Sequence, residues 1–327
     1  MFYVLSILSF LIYAFLICKL FMTSLLSSLS TGNYLLSSLK LIVIVFLLFE
    51  ILIEWRVYLS TKKSELVKRH IHLDDLKIFM SVFLGTLVSY YLNHNFALGA
   101  VVASSLVGLI GGLLLSKYAV PIYCGSFAGM VSSTLTSDPT AIFIIGIFAA
   151  LLYVFGSQTF VGFGGKLGAT AYFATLLTSV FYQTFRDTMI GSSITIQSDV
   201  FIVFIIGSLG TYLINEQYDI GVVAASSLLG LTFGLILPNV FSHGGALAVA
   251  LFCGTFIGMS TSSKLSTRVS VLIATIIGTI IYLYTAPYFA GLGGKLGLIA
   301  FGSSIATSGI YNFRTSLSKH RKKQLEG

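Results

Sequence analysis

The sequence predicts an all-α integral membrane protein of about 12 transmembrane segments, with two N-terminal helices followed by a 5+5 inverted-topology repeat that contains broken or re-entrant helices. Three observations support this fold class: an apolar composition, a set of duplicated motifs, and a one-sided distribution of basic residues. Of the 327 residues, 56% are hydrophobic and 9% are charged, whereas soluble domains carry about 25% charged residues. A soluble fold could not cover this much apolar surface.

The first predicted domain, residues 1–77, comprises two N-terminal transmembrane helices and a basic cytoplasmic loop. The apolar stretches 2–22 and 34–55 each reach the roughly 20 residues that a spanning helix needs. The first stretch lacks a basic n-region and a clear small-residue cleavage site, so we interpret it as a retained helix rather than a signal peptide. The loop, 56–77, carries the basic residues Arg56, Lys62, Lys63, Lys68, Arg69 and Lys77.

The main body of the chain is a duplicated sequence. Three motifs occur twice in the same order. The two copies of the first motif are 122 residues apart, and the two copies of each of the other motifs are 129 residues apart. The pairs are 99–112 with 221–234, 124–130 with 253–259, and 160–168 with 289–297. Such a recurrence identifies an internal repeat.

Each repeat contains five hydrophobic segments, several of them short and rich in glycine. The first five-segment repeat covers 78–183, with segments near 78–92, 97–115, 119–135, 140–156 and 160–183. The second, inverted repeat covers 200–312, with segments near 200–215, 219–236, 245–262, 268–286 and 289–312. A basic cytoplasmic tail, 313–327, follows.

The basic residues favour one orientation of this topology. An odd number of spans per repeat requires the two repeats to insert in opposite directions. With 56–77 in the cytoplasm, the cytoplasmic connections hold fourteen Lys and Arg residues, and the outer connections clearly hold only Arg186, although Lys19 and Lys40 lie near the outer helix ends. This bias follows the positive-inside rule. It predicts a multi-pass protein of the plasma (bacterial inner) membrane with both termini cytoplasmic, and it assigns the net charge of +8 to the lipid bilayer rather than to nucleic acid.

The strongest candidate site is a Gly-Gly-Lys-Leu-Gly motif that occurs once in each repeat. A lysine inside a span costs about 2.5–3.5 kcal/mol, the glycines leave backbone N–H groups accessible, and a helix starting there adds its positive end. This pattern predicts an anion site. The alternative is that the lysines snorkel to headgroups while the glycines serve helix packing. The candidate residues are Gly164, Gly165, Lys166, Gly293, Gly294 and Lys295.

Small hydroxyl residues recur at equivalent positions and complete the predicted substrate site. They either line a polar pathway or belong to small-residue helix packing. For the glycine-containing pairs we expect a broken helix at the site. These residues are Ser104, Ser105, Ser226 and Ser227, and the pairs Gly125–Ser126 and Gly254–Thr255.

Other kinds of site are not predicted. The lone cysteines Cys18, Cys124 and Cys253 have no spacing typical of a disulfide framework or metal site. The sequence has no nucleotide loop, no Ser/His/Asp set and no metal-ligand cluster, so we predict no cofactor, no metal and no enzymatic activity. Glu50 and Glu54, one turn apart, are expected to pair with Arg56 or nearby lysines rather than to relay protons.

The two halves resemble, in architecture alone, five-plus-five inverted-repeat permeases such as urea transporters and ammonium channels. This resemblance implies a solute site between the repeats near the membrane midplane. We therefore predict a transporter or channel for a small anionic or polar solute. Two alternatives stay open: a permease for a neutral solute such as a small amide, and a non-transporting scaffold or assembly subunit. The scaffold would contact a membrane partner or a second copy of the chain through 56–77.

Overall fold

The structure is a computed structural model that describes residues 1–69, 71–133, 135–136, 138–182 and 198–325. Arg186, predicted for an outer connection, lies outside these residues. Within them the chain forms twelve α-helices and a short 3-10 helix at Ser116–Tyr118, and no β-strand. The helices are α1 Phe2–Ser30, α2 Tyr34–Lys68, α3 Leu73–His94, α4 Ala100–Leu114, α5 Ala119–Ala128, α6 Pro139–Gly156, α7 Lys166–Phe181, α8 Ser198–Tyr218, α9 Val222–Val240, α10 Gly244–Gly258, α11 Arg268–Thr285 and α12 Lys295–Leu325.

Seven of these helices are long and apolar enough to cross a membrane: α1, α2, α3, α6, α8, α9 and α11. The chain is therefore an all-α, multi-pass membrane protein by its helix lengths and composition. α4 and α10 are apolar but shorter. α5 has 10 residues and is about 15 Å long, half the thickness of the hydrocarbon core. The helix in the predicted segment 119–135 thus ends at Ala128, too early to span.

Two segments that were expected to be loops are largely helical. α2 continues to Lys68, so the predicted basic loop 56–77 is reduced to a short connection before α3 begins at Leu73. There Arg69 forms an ion pair of 2.6 Å with Asp75 in the first turn of α3. The predicted tail is likewise part of α12, which runs to Leu325. Residues 56–77 contain no glycine or proline, and the tail contains only the terminal Gly327, so no local signal ends the preceding helix within either segment.

The two N-terminal helices pack along the repeats. α2 lies against α12, and α1 contacts α6, α7, α11 and α12. In α1, the Tyr13 hydroxyl hydrogen-bonds the Thr170 hydroxyl of α7 at 2.8 Å, and the Phe10 ring stacks on Phe160 with centroids 4.3 Å apart. α1 therefore supports the segment 157–165, which connects α6 to α7 and carries the first Gly-Gly-Lys motif.

Candidate functional site

The Gly-Gly-Lys motifs mark the first residues of two helices. α7 begins at Lys166 directly after Gly165, and α12 begins at Lys295 directly after Gly294. Both glycines have positive φ angles, +83° and +82°, a conformation that glycine adopts without steric cost. The expectation that a helix begins at each motif is correct, so each motif presents the positive end of a helix.

The starts of α7 and α12 touch each other at this point. A Cβ atom placed on Gly168 would lie 2.5 Å from the Gly297 Cα, and one placed on Gly297 would lie 2.5 Å from the Gly168 Cα. The same reciprocity holds one turn earlier. A Cβ on Gly165 would lie 2.3 Å from the Gly297 carbonyl oxygen, and one on Gly294 would lie 2.2 Å from that of Gly168. Only glycines allow this approach of the two backbones.

The two lysine ammonium groups are bound to backbone carbonyls. Lys166 Nζ donates to the carbonyl oxygens of Ser157 (3.1 Å) and Thr159 (2.5 Å), just beyond the end of α6. Lys295 Nζ donates to three carbonyl oxygens at the end of α11. These belong to Thr285 (2.6 Å), Ala286 (3.2 Å) and Tyr288 (2.6 Å).

Each lysine therefore joins the start of its own helix to the end of the helix before it. The positive charge lies next to helix carbonyl ends, where cations are stabilising. An ammonium group has three N–H donors, so all three donors of Lys295 are occupied. Neither lysine side chain extends away from the protein, as one that snorkels to a headgroup would, and neither ammonium group is free. The charge remains at the site, but a direct hydrogen bond to a solute requires one carbonyl to be released.

A large cavity of about 860 Å³ opens beside the second motif. Gly294, Lys295 and Leu296 contribute to its wall together with the segment that precedes them. Its remaining polar lining comes from the end of α3, the connection after α5, and α11. The lining residues are Asn93, His94, Ala97, Gly99, Ala100, Phe127, Met130, Ser132, Ser133, Ala246, Val249, Phe256, Tyr282, Ala286, Ala290, Gly291, Leu292, Gly294, Lys295 and Leu296.

A small cavity of about 210 Å³ lies beside the first motif and is built from equivalent positions. When the lining of the small cavity is shifted by the repeat offset, every residue except Gly164 corresponds to a residue that lines the large cavity. Tyr153 corresponds to Tyr282, for example, and Met259 to Met130. The lining residues are Val120, Tyr153, Ser157, Val161, Gly162, Phe163, Gly164, Gly165, Lys166, Leu167, Val222 and Met259. The two repeats therefore form matching cavities of unequal volume.

Helix starts surround the large cavity and give it a positive character. Ala100, Ala246 and Lys295 belong to the first turns of α4, α10 and α12, and each lines the cavity. Helix N-termini carry about half a positive charge and bind anions through their free N–H groups. The described residues that line this cavity include two basic residues, Lys295 and His94, and no aspartate or glutamate. The lining suits an anion or a neutral polar solute better than a cation.

The small cavity is bordered by a buried ion pair. Lys264 pairs with Glu54 of α2, and its ammonium group lies 4.5 Å from the centroid of the Phe163 ring, which lines the small cavity. The residue equivalent to Lys264 in the first repeat is Leu135. The pairing of Glu54 with a lysine was expected, but its partner is 210 residues away and not in the neighbouring sequence.

Replacing Lys264 by alanine is expected to destabilise the protein by about 2 kcal/mol. The change leaves Glu54 buried without a cation, which costs about 3–5 kcal/mol in a fully buried pair. The cost is smaller here because the Lys264 side chain is 21% exposed. Unfolding by SDS titration in mixed micelles measures the difference.

Arg268→Ala is the matched control for this prediction. Arg268 and Glu216 form an ion pair of 3.7 Å in which both side chains are largely exposed, so its loss should change stability by less than about 1 kcal/mol. Equal effects of Lys264→Ala and Arg268→Ala would show that burial of the Glu54 pair is unimportant.

The hydroxyl residues form one matching pair in each repeat. The Ser104 and Ser126 hydroxyls lie 2.8 Å apart, and the Ser226 hydroxyl donates to that of Thr255 at 2.9 Å. Ser226 also hydrogen-bonds the Tyr123 hydroxyl at 2.9 Å. All are fully buried, and none of them is among the residues that line the two cavities. These contacts join α4 to α5 and α9 to α10.

Ser105 and Ser227 lie where α4 and α9 cross. A Cβ on Gly230 would lie 2.3 Å from the Ser105 Oγ, and one on Gly108 would lie 2.3 Å from the Ser227 Oγ. Both hydroxyls are fully buried and lie outside the linings of the two cavities. The contact is again reciprocal between the repeats.

The expected helix breaks at Gly125–Ser126 and Gly254–Thr255 are wrong in position. Both glycines lie inside helices, α5 and α10, which end at Ala128 and Gly258. A Cβ on Gly125 would lie 2.0 Å from the Val82 carbonyl oxygen, and one on Gly254 would lie 2.4 Å from that of Phe204. The glycines therefore serve close packing of α5 on α3 and of α10 on α8.

Sequence reasoning did not select four polar residues of the large cavity: Asn93, His94, Ser132 and Ser133. Asn93 and His94 form the end of α3, and Ser132 and Ser133 lie in the connection after α5. Polar residues at such positions are usually solvent-exposed. One signal was present, because Asn93 and His94 come shortly before the first duplicated motif, at 99–112. Their contribution depends on the α3–α4 connection turning toward the second repeat.

The chain matches no known protein family, no curated protein and no solved structure. The internal duplication is therefore the comparison available, because each residue of one cavity can be compared with its equivalent in the other.

Proposed function

We propose that the chain is a membrane transporter for a small anionic or polar solute, with a pathway between two inverted repeats. The observation that carries the proposal is the pair of matching cavities with volumes of about 860 and 210 Å³. In transporters with inverted repeats, equivalent residues line the two access routes, and rocking of one repeat against the other opens one route while it closes the other. Unequal cavities at equivalent positions are expected of one such state.

The proposed topology assigns α3–α7 and α8–α12 to the two repeats, with about 12 membrane segments in total. The reciprocal contacts at Gly165, Gly168, Gly294 and Gly297 support a two-fold relation between the repeats, since each position meets the equivalent of its partner. The positive-inside bias places both termini in the cytoplasm of a bacterial inner membrane. The large cavity then faces outward and the small cavity faces the cytoplasm.

The lining of the large cavity supports the proposed class of solute. The helix starts and the charge of Lys295 favour an anion, and His94, Asn93 and Ser133 supply hydrogen-bonding groups. A neutral polar solute is the second candidate, and one observation favours it. The three donors of Lys295 are already bound to carbonyl groups, so this lysine contributes only its charge.

Flux into proteoliposomes tests the proposal directly. The panel contains small inorganic and carboxylate anions, neutral amides and polyols, and organic cations. Flux of particular anions supports the proposal, flux of amides alone supports the second candidate, and an absence of flux for the whole panel overturns transport and leaves the scaffold. Thermal stabilisation selects solutes beforehand, because a ligand at 100 times its dissociation constant stabilises a protein by about 2.7 kcal/mol.

The two cavities also predict an asymmetry of access that does not depend on the solute. Met130 lines the large cavity and its equivalent Met259 lines the small one; Met130 is half-buried and Met259 is buried. Met130→Cys is therefore expected to react with a membrane-impermeant thiol reagent applied outside right-side-out vesicles, and Met259→Cys to stay protected from either side. Labelling is measured by mass shift.

The native thiols provide the background for this measurement. Cys124 and Cys253 are buried, and Cys18 is partly buried, so Cys18→Ser gives a suitable parent. A transported solute should raise the labelling of Met259→Cys from the cytoplasmic side. Equal labelling of the two variants from the same side would contradict opposed access.

A further inference from the structure

Glu50 is a buried acidic residue within a candidate membrane span. It lies on α2 inside the apolar stretch Tyr34–Thr61, and it is 0% exposed. Both carboxylate oxygens accept hydrogen bonds from α12: Oε1 from the Ser308 hydroxyl and Oε2 from the Asn312 side-chain amide, each at 2.8 Å. Ionisable residues inside membrane spans are rare and usually functional. The expected pairing of Glu50 with Arg56 or a nearby lysine is therefore wrong among the described residues, whose contacts to Glu50 come from Ser308 and Asn312.

The partners of Glu50 are neutral. Among the described residues it forms no ion pair, because Lys264 binds Glu54, one turn further along α2. A buried carboxylate without a cation is costly, and binding a proton removes that cost. The partners suit both states. A serine hydroxyl donates or accepts, and an amide group can turn to present its oxygen to a protonated acid.

The charged groups near Glu50 connect it to the small cavity. Glu54, one turn further along α2, pairs with Lys264. The Lys264 ammonium group in turn lies 4.5 Å from the centroid of the Phe163 ring, which lines the small cavity. α12 contributes Ser308 and Asn312 at this position, and neither is titratable. The charged residue of α1, Lys19, lies elsewhere, over the Phe289 ring.

Glu50 is also joined to the large cavity through α12. This helix begins at Lys295 in the wall of the cavity and reaches Glu50 at Ser308. A Cβ on Gly309 would lie 3.2 Å from the Glu50 Cβ and 2.2 Å from the Phe46 carbonyl oxygen, so α12 and α2 are in close contact at this point. Asn312, the other partner, is exposed, so the Glu50 carboxylate lies one side chain away from the surface of the described chain.

We propose that Glu50 is a proton-binding site that couples proton movement to solute transport. The proposal rests on the proposed transport function. A hydronium ion gives its proton to a Glu50 carboxylate oxygen and leaves water, so no other reactant is needed. Protonation removes the negative charge between α2 and α12, and α12 in turn carries Lys295 at the large cavity. Coupling to protons would let an anion enter against a membrane potential that is negative inside.

Infrared spectroscopy of the purified protein tests proton binding without any solute. The expected result is a carbonyl band of a protonated carboxylic acid near neutral pH that Glu50→Gln abolishes. Glu216→Gln, at an exposed ion pair, is the matched control and should keep the band. Absence of the band in the native protein, or its persistence in Glu50→Gln, would overturn proton binding at Glu50.

A second variant keeps this test decisive if Glu50→Gln does not fold. Asn312→Leu removes a donor that stabilises the ionised carboxylate, so its acid band should persist to higher pH than in the native protein. An unchanged titration of the band would count against assigning it to Glu50.

Proteoliposomes containing a pH-sensitive dye test the coupling. With a solute from the panel that is transported, the native protein and Glu216→Gln should move protons with the solute. Glu50→Gln should retain solute exchange but reduce proton movement to that of protein-free liposomes. Solute flux without proton movement in the native protein would overturn the coupling and leave transport standing. No flux of any solute would overturn transport and coupling together, while the infrared band would still decide whether Glu50 binds a proton.

Discussion

Gly165→Ala is expected to lower the free energy of unfolding by about 3–5 kcal/mol, the largest effect of any single substitution considered. Two costs combine. A φ angle of +83° strains any residue with a side chain, by about 1–3 kcal/mol. The new Cβ would also lie 2.3 Å from the Gly297 carbonyl oxygen and 2.5 Å from the Phe301 backbone nitrogen, and such overpacking costs about 1–3 kcal/mol. Unfolding by SDS titration measures the sum.

Two other glycines separate these costs. Gly32, just after α1, has a φ angle of +72° but nothing within 4 Å of its Cβ position, so Gly32→Ala should show the strain alone. Gly245 has open space and no positive φ, so Gly245→Ala should be neutral or slightly stabilising within α10. If Gly165→Ala were no worse than Gly32→Ala, the close approach of α7 and α12 would be wrong.

The sequence predicted the features that depend on composition and on duplication. The apolar segments identified the all-α membrane class because spanning helices need long apolar runs. The duplicated Gly-Gly-Lys motifs located two helix starts, Lys166 and Lys295. Glycine directly before an apolar segment is a signal within the local sequence that a helix begins there. The number of membrane segments and the inversion of the repeats stay proposals.

Features that depend on contacts between distant segments could not be predicted. Gly125 and Gly254 were expected to break helices, but their partners are carbonyl oxygens of α3 and α8, which sequence spacing does not reveal. The acceptors of Lys295 lie up to 10 residues earlier in the chain, and the cation that binds Glu54 is Lys264. Helix packing determines each of these partners.

The unequal cavities also explain why equivalent residues need not have equivalent roles. Lys166 and Lys295 occupy the same position of the repeat and cap the same kind of helix end. One lies beside about 210 Å³ of space and the other beside about 860 Å³. Water can replace a lost hydrogen bond in the larger space more readily than in the smaller one. Replacing Lys166 should therefore affect mainly stability, and replacing Lys295 should affect mainly solute binding.

Lys166→Met is accordingly expected to destabilise the protein by about 3 kcal/mol, and Lys295→Met by about half as much, although Lys295 makes one more hydrogen bond. Each buried acceptor that loses its partner costs about 1–3 kcal/mol. Thr159, an acceptor of Lys166, is fully buried, whereas Tyr288, an acceptor of Lys295, is 39% exposed and can bind water. Lys117→Met, on an exposed lysine, is the control and should be neutral.

Lys295→Met, which costs less stability than Lys166→Met, should have the larger effect on solute binding. Lys295→Met retains the fold but removes the positive charge from the large cavity, so it should abolish stabilisation by anions and anion flux. Stabilisation by neutral solutes should be unchanged. Retention of anion flux in Lys295→Met would restrict this lysine to its bonds with the preceding carbonyl groups. The helix starts around the large cavity would then be the source of its preference for anions.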